Sequence, residues 1–269
     1  MATTDKLFAG SIPELYERFL VPLIFESYAR DLAKRVVEAA PKDVLETAAG
    51  TGVLTRAMTA RLPAAARIVA TDLNQPMLDQ AATRQDGERR IERRQADALA
   101  LPFPEASFDV VACQFGTMFF PDKITGYKES RRVLRSGGHL IFNVWDRISE
   151  NEFADIIEQA LAALFPDDPP RFLARTPYGY HDVEQIRREL GTAGFAEIAI
   201  DAVNEKSKAP SPRDAAVGFC EGTPLRNEIE ARDASGLEHA TAQATAALAR
   251  RFGNGPIEGR IRAIVISAA

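Results

Sequence analysis

Cysteine, histidine and tryptophan are scarce in this chain: two Cys, three His and one Trp in 269 residues. Two thiols, Cys113 and Cys220, exclude a disulfide-stapled scaffold and, in a chain this long, indicate a reducing, cytoplasmic setting. Their spacing fits no metal motif, so both are read as free thiols and no metal is expected. No apolar run approaches the roughly 20 residues of a membrane span, and the opening MATTDKLFAG lacks the apolar core of a leader peptide. Positive charge is not in surplus either. The 33 Lys and Arg face 38 Asp and Glu, a net charge of −5, which disfavours nucleic acid as the principal partner. What remains is 46% hydrophobic, enough for one large core or one core plus a cap.

The most informative stretch is VLETAAGTGVLTR, residues 44–56. Val44 and Leu45 read as an apolar strand end. Gly50 and Gly52 form a turn that lets backbone pass close under a ligand, and Val53, Leu54, Ala57, Met58 and Leu62 recur at helical spacing. The first turn of that helix is expected to offer unpaired N–H groups. Charge decides which ligand suits the turn. A dinucleotide brings a pyrophosphate and its fingerprint supplies three glycines, whereas the frame starting at Gly50 ends in Thr55 and Glu46 closes the strand. A carboxylate there repels phosphate and attracts an ammonium or a sulfonium. S-adenosylmethionine carries both cations and no phosphate.

A second strand, 68–70, leads to Asp72, with Asn74 as the N-cap of the next helix. An acid roughly 20 residues past a Gly turn is where doubly wound folds grip a ribose diol. A polar strand follows at 91–95, then Asp97, then a strand at 108–113. Alternation of strand and helix patterns over 42–142 is that of a parallel sheet covered on both faces.

Four ordered blocks, ETAAGTG, ATDLNQPML, ADALALPFPEASFDVV and RVLRSGGHLIF, resemble the class I S-adenosylmethionine-dependent methyltransferases. The likeness is to the small-molecule branch related to the ubiquinone and menaquinone biosynthesis enzymes (methyltransferase type 11 domain). It covers 42–146 and implies a doubly wound, mostly parallel seven-stranded Rossmann-like α/β sheet with a helical cap. By that resemblance Glu46, Ala48 and Gly50 meet the methionine end of the cofactor and Asp72 the ribose. Leu73 and Met77 flank the adenine, and Asp97 with Ala98 reads its edge. Gln114 and Phe115 face the methyl group and the acceptor. The family's first glycine is Ala48 here, and an added methyl is harmless only where φ is negative.

Three regions follow: an N-terminal helical lid over 1–40, the cofactor core over 41–146, and 147–269, which completes the sheet and inserts a helical cap at about 207–256. A surface helix decorating the sheet edge is the alternative reading of that insertion. Ser149 and Glu152 suggest a capping box for a helix carrying Phe153, Ile157 and Leu161. Further expectations are a helix from Asp182 to the Gly191–Gly194 punctuation, a strand at 196–203, a loop and N-cap at KAPSPRD, one helix over 225–251 and a last strand at 260–266. Tyr16 and Tyr28 on the lid, with Phe115 and Trp145, are the candidate walls of the acceptor pocket. His181 is the best candidate general base; His139 reads as structural and His239 as solvated.

The leading expectation is methyl transfer by in-line displacement to a small, apolar or aromatic acceptor, yielding S-adenosylhomocysteine, by a monomer or homodimer. The competing classes are an NAD(P)-dependent oxidoreductase, for which a Tyr-x-x-x-Lys pair is missing, and a non-catalytic S-adenosylmethionine-binding protein.

Overall fold

The structure is a computed structural model that describes residues 8–85 and 87–269. Residues 1–7, within the segment read as having no leader core, lie outside the described residues. Two compact units divide the chain. One comprises Ser27–Val144, His181–Val203 and Ala263–Ala269; the other takes the described residues up to Glu26 with Trp145–Tyr180 and Asn204–Arg262.

The first unit is built on a sheet. Its strands are β1 (Asp43–Glu46), β2 (Arg67–Asp72), β3 (Ile91–Gln95), β4 (Phe108–Gln114), β5 (Leu134–Trp145), β6 (Ile198–Ala209) and β7 (Ile257–Ala268), in the order β3-β2-β1-β4-β5-β7-β6. Residues 204–209 of β6 and 257–262 of β7 belong to the other unit. The pairs β1–β2, β1–β4, β2–β3 and β4–β5 are parallel. Continuous burial along β1, β2 and β4 follows from their apolar runs, since a parallel sheet is covered on both faces. At the edge, β3 keeps only Ile91 buried and turns charge outward, which blunts edge-to-edge pairing.

Helices on this sheet keep to a 3.6-residue period. In α2 (Glu26–Glu38), Tyr28, Leu32 and Val36 with Ala29 and Ala33 form the buried stripe. Of these, Leu32, Ala33 and Val36 join Val44, Leu54 of α3 (Val53–Thr59), Ile68, Val110 and Ile141 in one core cluster, along with Met58. Capping punctuates the rest. Asp122 accepts from the Thr125 amide at the start of α5 (Lys123–Val133). Asp182 accepts from Glu184 and Gln185 at the start of α8 (Val183–Ala193), which ends on Gly194 at φ 97°. Helix α4 (Gln75–Arg84) does start after Asn74, but no cap bond comes from the Asn74 side chain.

The second unit is helical. Alpha turn α1 (Ile12–Leu15) runs into a π-helix, Tyr16–Phe25, with Pro22 inside it. Helices α6 (Glu152–Leu164), α7 (Phe172–Arg175), α9 (Pro212–Glu221), α10 (Leu225–Arg232) and α11 (Leu237–Phe252) follow, with α11 packed on both α9 and α6.

Three local expectations are corrected. The capping box does not form: Ser149 lies in a 3₁₀ turn, Asn151 is the N-cap, and Glu152 instead accepts the Arg260 amide at 2.6 Å. KAPSPRD supplies the expected N-cap, Ser211 of α9, but its first two residues are strand rather than loop, because β6 extends to Ala209. The single helix over 225–251 is two, broken where Asp233 folds back onto the Ser235 amide and hydroxyl, both at 2.9 Å, an Asx turn that competes with helix.

Ile68, fully buried on β2, tests the core. Ile68→Ala should cost about 2–5 kcal/mol, read as a lower urea midpoint with an unchanged m-value.

Candidate active site

Parallel strands all end on the same side, and between β1 and β4 the chain order reverses, so the carboxyl ends of these two strands open a crevice. Register aligns the sequence-selected residues along it. Glu46 ends β1, Asp72 ends β2 opposite Gln95, and Gln114 ends β4 opposite Asn143. The Ala96 amide donates to the Asp72 carbonyl at 3.0 Å, which carries exposed Asp97 and half-buried Ala98 to the end of β2.

The turn after β1 is held by the strands on either side. Thr47 donates to the Ala112 carbonyl and Ala49 to the Thr71 carbonyl, each at 2.9 Å. Asp72 closes it: one carboxylate oxygen accepts from the Gly50 amide and the other from the Asn74 amide, both at 2.8 Å. The carboxylate is 7% exposed, and burial raises its pKa against the opposing pull of those amides. Gly50 and Gly52 take φ 56° and 81°, and Ala48 takes 51°. The departure from glycine at Ala48 therefore falls in the left-handed region, where a Cβ is costly.

That methyl has a place to go. A Cβ built on Gly116 would lie 2.4 Å from the Ala48 Cβ and 2.7 Å from the Cys113 sulfur, so bare backbone at Gly116 accommodates the side chain at Ala48. Met77 is buried, with its Cε 3.6 Å from where a Gly50 Cβ would stand. Leu73 is the one large hydrophobic exposed among the described residues, at 44%. The Thr51 hydroxyl is buried with no hydrogen-bond partner among the described residues.

Glu46 is fully enclosed. The Thr55 hydroxyl donates to its carboxylate at 2.5 Å, and the Thr71 hydroxyl to its carbonyl at 2.9 Å. Burial pushes its pKa up to about 8; the Thr55 bond and the Arg56 charge oppose this and Asp72 adds to it. The Arg56 guanidinium reaches the Thr51 carbonyl at 2.7 Å. Burial likewise pushes Cys113 and Cys220 up to about 12. Both are free, buried thiols with no thiolate to react.

At the end of β4, Gln114 is 9% exposed and Phe115 takes φ 51°. The Phe115 ring meets Tyr28 edge-on at 5.4 Å, and the Tyr28 hydroxyl donates to the Val203 carbonyl at 3.2 Å. In the other unit Tyr16 stacks on Phe25 at 5.0 Å, Phe25 lies 5.9 Å from Trp145, and Trp145 lies 5.7 Å from Tyr178. His181 is half-buried, one residue ahead of the α8 cap Asp182. No cluster of His, Cys, Asp and Glu among the described residues could hold a metal ion. Among them no helix is long and apolar enough to cross a membrane.

The sequence reading missed Thr55, Gly116 and Asn143. Thr55 shares a helix face with apolar residues, and its partner Glu46 lies nine positions away. Contact between Gly116 and Ala48 is set by strand order, which no local pattern encodes.

Strand order and the acid-flanked Gly turn define a doubly wound α/β protein with a crevice at the switch point. Residues 45–142 match the methyltransferase domain family. A demethylmenaquinone methyltransferase of Deinococcus radiodurans is 36% identical over 141 residues, 51% of this chain and 58% of the relative. One from Mycobacterium sp. (strain KMS) is 30% identical over 164 residues, 58% of this chain and 68% of the relative. Among solved structures, a Haemonchus contortus phosphoethanolamine N-methyltransferase in complex with phosphomonomethylethanolamine and S-adenosylhomocysteine aligns with a TM-score of 0.60. That alignment covers 100% of this chain and 60% of the other at 16% identity, a likeness of fold. The chain belongs to the class I S-adenosylmethionine-dependent methyltransferases. The matched segment spans 58% and 50% of the lengths of two of its curated relatives.

Two predictions follow from packing and charge. Gly116→Ala should destabilise by about 1–3 kcal/mol through overpacking, and the double variant with Ala48→Gly should recover part of the loss; calorimetric melting of the three variants measures both. Native Glu46 keeps its proton to about pH 8, whereas an exposed glutamate releases it near 4.5. The native state thus binds more protons between these values, and Glu46's contribution to stability is lost as pH rises through that window. Denaturation across pH 4–9 should show the decline, and Glu46→Gln should flatten it.

Proposed function

We propose that this chain transfers a methyl group from S-adenosylmethionine to a small, apolar aromatic acceptor, with a reduced quinone as the acceptor class. The observation that carries the cofactor assignment is a pair of buried carboxylates, Glu46 and Asp72, flanking the Gly turn. A pyrophosphate there would oppose ionisation of both groups, whereas a phosphate-free adenosine compound bearing cations would favour it. The curated relatives, named for demethylmenaquinone, support the acceptor class.

The residues suit that cofactor. The Asp72 oxygens each retain lone pairs after accepting one amide, which serves two ribose hydroxyls. Leu73 offers exposed apolar surface next to it, with Met77, for an adenine face, while Asp97 and Ala98 would read the adenine edge. Glu46, Ala48 and Gly50 are assigned to the methionine end. A cation there would favour the ionised form of Glu46 over the neutral one that burial imposes against the Thr55 bond. When bound, S-adenosylmethionine supplies a sulfonium methyl for in-line displacement by the acceptor.

The chain's own part is to position the acceptor and exclude water, which supplies much of the rate in such displacements. Gln114 and Phe115 are assigned to the methyl side, and Tyr28 to the acceptor wall. A base is required only for an acceptor that arrives protonated, and His181 is the candidate.

Titration calorimetry with S-adenosylmethionine, S-adenosylhomocysteine and NAD tests the assignment: binding of the first two without NAD supports it, and NAD alone overturns it. Asp72→Ala should weaken S-adenosylhomocysteine binding by about 1–3 kcal/mol; unchanged affinity in a folded variant removes Asp72 from the site. Turnover with 1,4-dihydroxynaphthalene, read as S-adenosylhomocysteine released, tests the acceptor class. His181→Gln should lower kcat about 100-fold with cofactor affinity unchanged, and an unaltered kcat removes the base.

A further inference from the structure

Beside the assigned residues, the end of β4 holds two costly features with a common neighbour. Phe115 is a bulky residue at φ 51°, a backbone state that L side chains rarely adopt and that persists only where surroundings impose it. The imposing group is Asn143, fully buried on β5. The Phe115 amide donates to the Asn143 side-chain oxygen at 2.9 Å and to the Asn143 carbonyl at 3.2 Å. This bond fixes the carboxamide's orientation, since a flipped amide would set donor against donor.

The same orientation leaves the Asn143 Nδ2 buried with no hydrogen-bond partner among the described residues. The Thr117 hydroxyl, two residues past Phe115, is likewise buried without one. A buried, unsatisfied donor is expensive, and an apolar side chain at this interior position would avoid it. Stability alone therefore does not account for Asn143. Its one evident action is on Phe115, whose ring sets an edge against Tyr28 at 5.4 Å.

We infer that Asn143 is a positioning residue for the acceptor: its carboxamide pins Phe115 in the left-handed conformation, and so sets the Phe115–Tyr28 corner, at a cost to the stability of the fold. The inference rests on the methyltransferase reading only for what that corner faces.

Asn143→Val removes both the acceptor and the orphan donor. Asn143→Asp, held neutral by burial, keeps an acceptor for Phe115. In the ligand-free protein, amide exchange at Phe115 should speed at least tenfold in the Val variant and stay near wild type in the Asp variant, while the Val variant's Tm stays within a few degrees of wild type. With S-adenosylmethionine and 1,4-dihydroxynaphthalene, the Val variant should raise the acceptor KM about tenfold or more, with a smaller change in kcat. Its S-adenosylhomocysteine affinity should stay within twofold, and the Asp variant should restore KM. Unchanged exchange at Phe115, or an unchanged acceptor KM in the Val variant, overturns the inference. So does a parallel loss of Tm, cofactor affinity and turnover, which marks a structural residue. A wild-type protein that binds no S-adenosylhomocysteine overturns the methyltransferase reading instead, and the exchange comparison then decides the role of Asn143 by itself.

Discussion

The carboxylate of Asp72 is the tie on which the site's architecture depends. It accepts the Gly50 amide across 22 residues of sequence and the Asn74 amide two residues on, so one buried group joins the turn after β1 to the start of α4. Without it, two backbone donors at the mouth of the sheet would lose their acceptor, each a substantial cost when buried. Burial outweighs these amides and raises the Asp72 pKa, with no cationic side chain bonded to it among the described residues. Glu46 is likewise raised by burial, against the pull of a hydroxyl. The two acids at one crevice thus share desolvation as the cause and differ in their partners, backbone amides for one and a side-chain hydroxyl for the other.

Much of this was legible in the chain itself. The strand ends at Glu46, Asp72 and Gln114 follow from apolar runs stopped by polar residues, and the helix from Asp182 to Gly194 from a cap and a left-handed stop. These signals are local, which is why a single sequence carries them. The order of the four blocks along the chain carries the family resemblance, and the same residues carry the charge that selects the ligand.

What escaped was tertiary in origin. Ser149 and Glu152 have the spacing of a capping box, yet Glu152 is drawn to the Arg260 amide and Asn151 spends its side chain on Asp146, Arg147 and Arg262. The break at Asp233 is the exception, a local Asx turn in which its own side chain accepts the Ser235 amide. Asn143 looked like one polar residue in an apolar strand, and only the β4–β5 register brings it to Phe115. The positive φ of Ala48 and Phe115 could not be read from residue type, because both side chains disfavour it.

The fit between Ala48 and Gly116 also bears on how such a site can change over evolutionary time. With the methyl of Ala48 and the Cys113 sulfur both in the space above Gly116, a side chain at the second position is disfavoured, and less so where the first is glycine. The two positions are therefore epistatic, and the order of substitutions is constrained: a lineage carrying alanine in the turn after β1 has closed one route for remodelling the loop after β4. Divergence of the acceptor side is then channelled toward residues that do not share this space.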